Sequence, residues 1–250
     1  MLSTKTFRSV YYWLKDTLTV FLPSARCFLC LAPCQRPSTL CQSCWDALPR
    51  ISQPCHSCGI PLAATDTQPL CGSCQSHPSR TDHLLAPFVY SSPIRELVHG
   101  FKFHQTNHLA KLLATILYQQ IAEAIAPVQA DLMIPVPLAN SRLRQRGFNQ
   151  ALELSRYLSK WTSIPLATNE VERIEGSSSQ VSLNGEARRH EIRNQFVVRR
   201  SLVGKSIIIV DDVVTTGATV QELARVLRAA GAVRIEVWAL ARTCLHQHSV

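Results

Sequence analysis

The sequence predicts an α/β fold, a mostly parallel sheet with helices on both faces, preceded by a small cysteine-rich metal module. The cysteine pairs all lie in the first third of the chain, and the last of them ends at Cys74. After them, apolar β-branched runs alternate with longer segments of helical periodicity, as in parallel α/β domains. The most apolar run, residues 207–210, leads into Asp211 and Asp212 and then a short loop with a glycine. Such an ending is typical of a parallel strand with a ligand site at its C-terminal end.

Composition excludes several classes of protein. Of the 250 residues, 46% are hydrophobic and 17% are charged, which is ordinary for a globular chain and excludes a disordered or collagen-like one. No apolar run approaches the roughly 18 residues of a membrane span. Residues 10–22 come nearest, but Lys15 and Asp16 interrupt them and no small-residue cleavage site follows. We therefore expect a cytoplasmic protein whose residues 1–22 form an amphipathic helix.

Eight of the ten cysteines form four Cys-x-x-Cys pairs within 48 residues. In a reducing compartment, paired thiols ligate metal, and two such turns complete a tetrahedral Zn(Cys)4 site. The sequence thus predicts two structural zinc ions. Sequential pairing is favoured, while a cross-braced order, iron–sulfur clusters and disulfides stay open. The predicted ligands are Cys27, Cys30, Cys41, Cys44, Cys55, Cys58, Cys71 and Cys74.

The chain divides into three predicted regions: the helix 1–22, a double zinc ribbon over 23–79, and an α/β domain over 80–250. The formal charge of +9 points to an acidic partner such as nucleic acid. Eight zinc-bound thiolates lower it to about +5, and residues 1–80 become nearly neutral. Basic charge is instead concentrated in arginine clusters between residues 142 and 200.

The elements of the α/β domain follow from periodicity and from turn residues. Predicted strands, rich in β-branched residues, are 84–90, 131–136, 197–199, 205–210 and 234–240. Predicted helices, with apolar stripes, are 93–103, 108–126, 148–161 and 218–230. An arginine-rich loop is expected after Pro137. The long polar stretch 172–194 is expected to be a functional flap.

Residues 207–219 carry the most specific chemical signal. Main-chain N–H groups at a helix N-terminus can hold a phosphate, and a glycine lets the backbone approach it. Two adjacent carboxylates beside that cradle suit the hydroxyl groups of a sugar phosphate. An alternative is an acid pair that only caps the helix or binds Mg²⁺. The predicted phosphate loop consists of Thr215, Thr216, Gly217, Ala218 and Thr219.

This run resembles the phosphoribosyl-pyrophosphate (PRPP) motif of type I phosphoribosyltransferases. From about Cys27 to Thr243 the chain is similar to the ComF/GntX family, which joins a zinc ribbon to a phosphoribosyltransferase-like domain. The resemblance rests on the four cysteine pairs, on residues 131–138, 142–150 and 90–97 with Lys102, and on the spacing of Gln180, Leu183, Arg188 and Phe196. Where family members usually have Asn, this chain has Glu191.

The resemblance implies a type I phosphoribosyltransferase-like sheet that binds PRPP with Mg²⁺. Asp211 and Asp212 would be the catalytic residues. A pyrophosphate loop and a hood would surround the leaving group with positive charge. Their implied residues are Arg142, Arg146, Asn149, Arg188 and Lys102. Glu191 would disfavour an incoming pyrophosphate, so it bears on the role of the hood.

The family resemblance also implies a link to the uptake or use of external DNA (competence). The first hypothesis is therefore a Mg²⁺-dependent phosphoribosyltransferase whose acceptor the sequence does not name. The alternative is a non-catalytic protein that binds single-stranded DNA and uses its PRPP site as a sensor. A third hypothesis makes the zinc ribbons a docking scaffold for DNA-uptake or DNA-processing proteins.

Overall fold

The computed structural model describes residues 25–34, 40–103, 107–124, 129–174 and 195–244. The predicted helix 1–22 lies outside these residues. Internal contacts divide the chain into two compact units, one ending at Ala47 and one beginning at Leu48. The division at 79/80 concerns sequence modules and stays a prediction. None of the described helices is both long and apolar enough to cross a membrane.

The first unit contains a small cysteine-rich fold. Its strands β1 (Ala25–Arg26) and β2 (Pro33–Cys34) pair antiparallel. Helix α1 (Gln42–Asp46) begins directly after Cys41. The second unit has a helix in the same position relative to its cysteines: α2 (Gly72–Ser76) begins directly after Cys71. Both helices therefore start at the first cysteine of a Cys-x-x-Cys pair.

A parallel sheet organises the second unit. Its strands are β3 (His83–Leu85), β4 (Phe88–Val89), β5 (Leu132–Pro135), β8 (Ser206–Val214) and β9 (Arg234–Arg242). The order is β3–β9–β8–β5, with β4 also pairing with β9, and each of these pairs is parallel. Residues 84–90, predicted as one strand, form β3 and β4 instead, separated at Ala86 and Pro87. Proline lacks the N–H that a ladder needs, which explains the interruption.

Apolar side chains cover both faces of the sheet. Successive residues of a strand point to opposite faces. In β8, Ile207 and Ile209 belong to a core cluster that includes Leu223 and Leu227 of helix α7 (Ala218–Ala229). The alternate residue Ile208 is equally buried but lies outside that cluster. Burial on both sides agrees with the predicted sheet between helices. The other long helices are α3 (Ile94–Phe103), α4 (Asn107–Ala124) and α6 (Gln150–Thr162).

Two further expectations for local structure were wrong. Strand β8 runs on to Val214, so Asp211 pairs with Ala239 inside the ladder and does not follow the strand. The expected arginine-rich loop contains helix α5 (Asn140–Arg146), which ends at Gly147 with φ 77°. Arg142, Leu143, Arg144, Gln145 and Arg146 are all good helix formers, and a left-handed glycine is the usual stop for a helix.

A separate two-stranded ladder lies beside the domain's long polar stretch. Strands β6 (Val171–Arg173) and β7 (Phe196–Val198) pair antiparallel, with Arg173 opposite Phe196. They enclose residues 175–194, which lie outside the described part of the chain. In the sequence, the predicted hood therefore lies between these two strands. Arg188, Glu191 and Asn194 lie outside the described residues.

Candidate functional site

The two aspartates lie near the C-terminal end of the central strand β8 and are partly buried. Asp211 Oδ1 accepts a hydrogen bond from the N–H of Asp212 at 2.8 Å, and Asp212 Oδ1 accepts one from the N–H of Val213 at 2.9 Å. Asp212 Oδ2 lies 3.0 Å from Lys102 Nζ at the end of α3, with side-chain exposures of only 14% and 22%. A lysine that the sequence suggested for pyrophosphate is thus paired with the acid pair.

Burial and the adjacent charge of Asp212 raise the pKa of Asp211 well above its usual value, although Lys102 opposes this. Two neighbouring carboxylates in low dielectric disfavour being charged together. With one of the two carboxylates protonated, the two aspartates and Lys102 together have a net charge of about zero, against +1 for an isolated lysine. This group of side chains can both accept and donate hydrogen bonds. That combination suits vicinal hydroxyl groups.

The predicted phosphate loop follows β8 and ends in helix α7. Gly217 is the N-cap of α7 and has φ 81°, a left-handed conformation that other residues adopt only with strain. Thr216 Oγ1 accepts a hydrogen bond from the N–H of Ala218 at 3.3 Å. The first N–H groups of a helix have no intrahelical partner, so this end can receive an anion. Thr215 and Thr216 are exposed, and Ala218 and Thr219 are partly buried in the first turn of α7.

Helix α5 and the start of α6 supply the predicted pyrophosphate residues. Arg142 is exposed, and Arg146 Nη1 donates to Gln150 Oε1 at 3.2 Å. Asn149 is the N-cap of α6: its Oδ1 accepts from the N–H of Leu152 at 3.3 Å, and its Nδ2 donates to the carbonyl of Val136 at 3.0 Å. Asn149 thus fastens α6 to the end of β5. Its assignment to pyrophosphate stays a prediction.

A cleft of about 510 Å³ opens between α5, the N-terminal part of α6, and β6. Its walls combine apolar residues such as Pro137, Leu143 and Phe148 with the polar side chains of Asn149 and Arg173. It lies beyond the C-terminal end of β5, the strand next to β8. An open cleft at this edge of a parallel sheet is the usual place for a ligand.

Arg173 is a residue that no sequence motif singled out. It is partly buried, lies 5.5 Å from the centre of the Phe196 ring, and donates to Gln195 Oε1 at 2.7 Å. Burial and the nearby charge of Arg142 lower its pKa, and the carboxylate of Asp211 opposes this. Arg173 therefore lies within electrostatic range of both the arginine helix and the acid pair. Only its place within the polar stretch 172–194, which was predicted to be a flap, hinted at such a position; residues 172 and 173 instead belong to strand β6.

The eight predicted zinc ligands form two groups in sequential order, Cys27/Cys30/Cys41/Cys44 and Cys55/Cys58/Cys71/Cys74. Within each group, all sulfur atoms lie within 4.8 Å of one another. Cys30 and Cys41 are 3.6 Å apart at Sγ, and Cys58 and Cys71 are 3.7 Å apart. Four sulfurs at the usual Zn–S distance of about 2.3 Å would be about 3.8 Å apart. Both groups thus fit a structural zinc ion, and sequential pairing is the order found.

Local hydrogen bonding favours one thiolate in each group. Burial raises the pKa of Cys55, but main-chain N–H groups of Cys71, Cys58 and Ser57 outweigh it and lower the value to about 7. For Cys27, burial is likewise outweighed by N–H groups of Cys30, Cys41 and Leu29, which lower the pKa to about 6. Burial and the neighbouring thiols raise the pKa of Cys44 in the first group and of Cys58 in the second. Zinc needs deprotonated ligands, so a bound ion would have to offset this opposition.

Comparison with known proteins gives the same two parts. Residues 143–244 match the model of the phosphoribosyl transferase domain, and residues 17–75 match that of the double zinc ribbon domain. The chain is 33% identical over 221 residues to DNA utilization protein YhgH of Salmonella typhimurium, covering 87% of this chain and 96% of that protein. It is 34% identical over 194 residues to competence protein F of Haemophilus influenzae, covering 75% and 84%. Competence protein ComFC of Bacillus subtilis is 26% identical over 203 residues, covering 75% and 77%.

Proposed function

The chain belongs to the ComF/GntX family of double-zinc-ribbon proteins with a phosphoribosyltransferase domain, and from that premise we propose that it binds PRPP with Mg²⁺ and serves the uptake or use of external DNA. One observation supports PRPP as the ligand: strand β8 contains Asp211 and Asp212 and is followed by the loop with Gly217 at the start of α7. The link to DNA comes from what the relatives are named.

Each part of PRPP has a counterpart at this edge of the sheet. N–H groups of residues 215–219 hold the 5′-phosphate, helped by the dipole of α7. Asp211 and Asp212 accept hydrogen bonds from the ribose hydroxyls, and Lys102 keeps the acid pair from repelling the phosphates. Bound Mg²⁺ would neutralise part of the pyrophosphate charge.

The positive charge for pyrophosphate comes from α5 and β6. Arg142 and Arg146 lie on α5, and Arg173 lies within electrostatic range of both Arg142 and Asp211. Arg188, in the hood outside the described residues, is proposed for the same role. We propose that a nucleophile displaces pyrophosphate from C1 of the ribose. The C1–O bond breaks, the bond to the nucleophile forms, and these arginines stabilise the charge that develops on the leaving group.

The test is a calorimetric titration of the zinc-loaded full chain with PRPP and Mg²⁺. Asp211→Asn/Asp212→Asn is expected to lose binding, because it removes the negative charge of the pair and replaces one acceptor oxygen of each side chain by an NH₂ donor. Asp131→Asn is the matched control: this exposed aspartate pairs with Lys205 at 3.1 Å, at the opposite, N-terminal end of β5. Absent binding in the unsubstituted protein, or retained binding in the double variant, would contradict the proposal.

A second candidate function is single-stranded DNA binding with PRPP as an effector. It is favoured by the exposed side chains of Arg142 and Arg144 on α5 and by the names of the relatives. Fluorescence anisotropy with a labelled oligonucleotide tests it. The logarithm of affinity should fall with the logarithm of salt concentration with a slope of about 0.7 per phosphate contacted. Association that is absent or insensitive to salt would remove this candidate.

A further inference from the structure

Arg242, the last residue of strand β9, is an arginine buried in the sheet with only 3% of its surface exposed. Its Nε donates to the carbonyl of Cys58 at 2.9 Å. Its Nη1 donates to the carbonyls of Val214 at 3.1 Å and Thr243 at 3.0 Å, and also to that of Thr215. Within the described residues, every hydrogen-bond acceptor found for this guanidinium is a main-chain carbonyl.

Three of these four carbonyls belong to two functional parts of the second unit. Cys58 is a ligand of the second cysteine group, Cys55/Cys58/Cys71/Cys74. Val214 ends strand β8, and Thr215 is the first residue of the proposed phosphate loop. A guanidinium presents its donors in a rigid planar fork, so it fixes the positions of the acceptors relative to one another. One side chain therefore joins a metal ligand to the start of the phosphate loop.

The second cysteine group lies next to the guanidinium of Arg242. A buried cation is costly unless a negative charge lies near it. The Nε of Arg242 donates to the carbonyl of Cys58, one of the four cysteines of this group. One zinc ion held by four thiolates would have a formal charge of −2. The metal-loaded group would therefore place negative charge close to a guanidinium whose hydrogen-bond acceptors are all neutral.

The second cysteine group is held firmly against the sheet at β3. The N–H of Leu84 donates to the carbonyl of His56 at 3.0 Å, and the rings of His56 and His83 stack with their centres 4.4 Å apart. Gly59 has φ 71°, and a Cβ there would lie 2.5 Å from Leu84 Cδ2. The metal-binding turn approaches the strand so closely that a side chain at Gly59 has no room. Loss of the metal would therefore disturb the packing of this turn against strand β3.

We propose that Arg242 is a positioning residue through which zinc at Cys55/Cys58/Cys71/Cys74 orders the phosphate loop and tightens sugar-phosphate binding. The identity of the ligand rests on the proposed function, whereas the ordering of the loop does not. Zinc loss or thiol oxidation at the second group then lowers affinity for the sugar phosphate. The second ribbon is in this sense part of the ligand site.

Amide hydrogen exchange of the peptide 213–220 in the full-length protein tests the ordering directly. We expect exchange in the loop to become at least about tenfold faster in Cys55→Ser/Cys58→Ser and in Arg242→Gln. Arg242→Lys keeps the charge without the fork and should fall between them and the unsubstituted protein. Cys27→Ser/Cys30→Ser controls for zinc loss as such. Arg228→Gln controls for loss of an arginine that also bonds main-chain carbonyls, those of Ala232 and Val233.

A measurement on the unsubstituted protein guards against variants that fail to fold. Brief treatment with a chelator should speed exchange of 213–220 while the core peptide of β9 stays protected. PRPP affinity, measured by calorimetry with Mg²⁺, should fall at least about tenfold in the second-group and Arg242→Gln variants. Unchanged loop exchange after loss of the second zinc would overturn the proposal. If the loop responds but PRPP does not bind to any form, the positioning role stands and the proposed ligand fails.

Discussion

The two cysteine groups have nearly the same sequence pattern but different surroundings. Each has two Cys-x-x-Cys pairs, a short helix after the third cysteine, and one thiol with a lowered pKa. The first belongs to a small unit that ends at Ala47. The second shares its unit with the sheet and contacts β3 and Arg242. Ligand spacing therefore identifies a metal site, but the contacts around it decide whether the metal affects another site.

The largest expected difference is in stability. Removing the second zinc with Cys55→Ser/Cys58→Ser should markedly lower the unfolding temperature of the unit that begins at Leu48, because zinc binding there is coupled to folding. Cys27→Ser/Cys30→Ser should leave that transition in place. Differential scanning calorimetry checks both variants. Equal shifts of this unfolding temperature in the two variants would mean that both zinc sites stabilise the unit equally, which would contradict the prediction.

Asp212→Asn should sharpen the contrast between metal and ligand. It removes the negative charge that pairs with Lys102 and replaces one acceptor oxygen by an NH₂ donor, so we expect PRPP affinity to fall by roughly 100-fold or more, as when a charged hydrogen-bond partner is removed. Zinc content should stay at two ions per chain. Calorimetry and a colorimetric zinc assay together check this. Zinc loss in this variant would show that the acid pair supports the metal site and not only the ligand.

Asp211 gives a prediction with a defined pH dependence. Its pKa is raised in the folded protein, so the folded state binds more protons and stability falls as pH rises above the ordinary value of 3.8 toward the raised one. Asp211→Asn should therefore raise the melting temperature at neutral pH while weakening PRPP binding. Thermal unfolding between pH 5 and 8 checks the sign. A melting temperature that falls at every pH would contradict it.

The smallest effect is expected on exposed helix α5. Arg142→Gln should change stability by no more than about 0.5 kcal/mol, because the side chain is exposed. Affinity for PRPP should fall severalfold, while affinity for ribose 5-phosphate, which lacks pyrophosphate, should not change. Parallel calorimetric titrations with the two ligands check this. Equal loss for both ligands would place Arg142 outside the pyrophosphate site.

Local pattern predicted most of the fold and the metal ligands. The cysteine spacing identified all eight ligands, and the run ending at Asp211 and Asp212 placed the central strand and the following helix. These signals are local, since each lies within a few residues of the chain. The two aspartates predict that the strand ends at residue 210, because polar residues are typical of a strand end. Pairing with β9 instead keeps Asp211 in the ladder and extends β8 to Val214.

Long-range contacts account for what the sequence did not predict. Arg173 and Arg242 each lie on a strand whose residues give no chemical pattern, and their roles depend on partners 22 and 184 positions away, Gln195 and Cys58. The pairing of Lys102 with Asp212 likewise joins α3 to β8. Burial of a charged residue is the physical sign of such roles, and it can be seen only in the folded chain.

The equilibrium zinc affinity of the second group, measured with and without PRPP and Mg²⁺, tests the central claim most directly. If zinc at the second group tightens PRPP binding, PRPP must tighten zinc binding there by the same factor. Competition with a zinc-selective chelator gives this affinity, and the Cys27→Ser/Cys30→Ser variant identifies which of the two affinities belongs to the second group. We expect saturating PRPP to raise the zinc affinity of the second group about tenfold and to leave that of the first unchanged. Equal zinc affinity with and without saturating PRPP would contradict the claim.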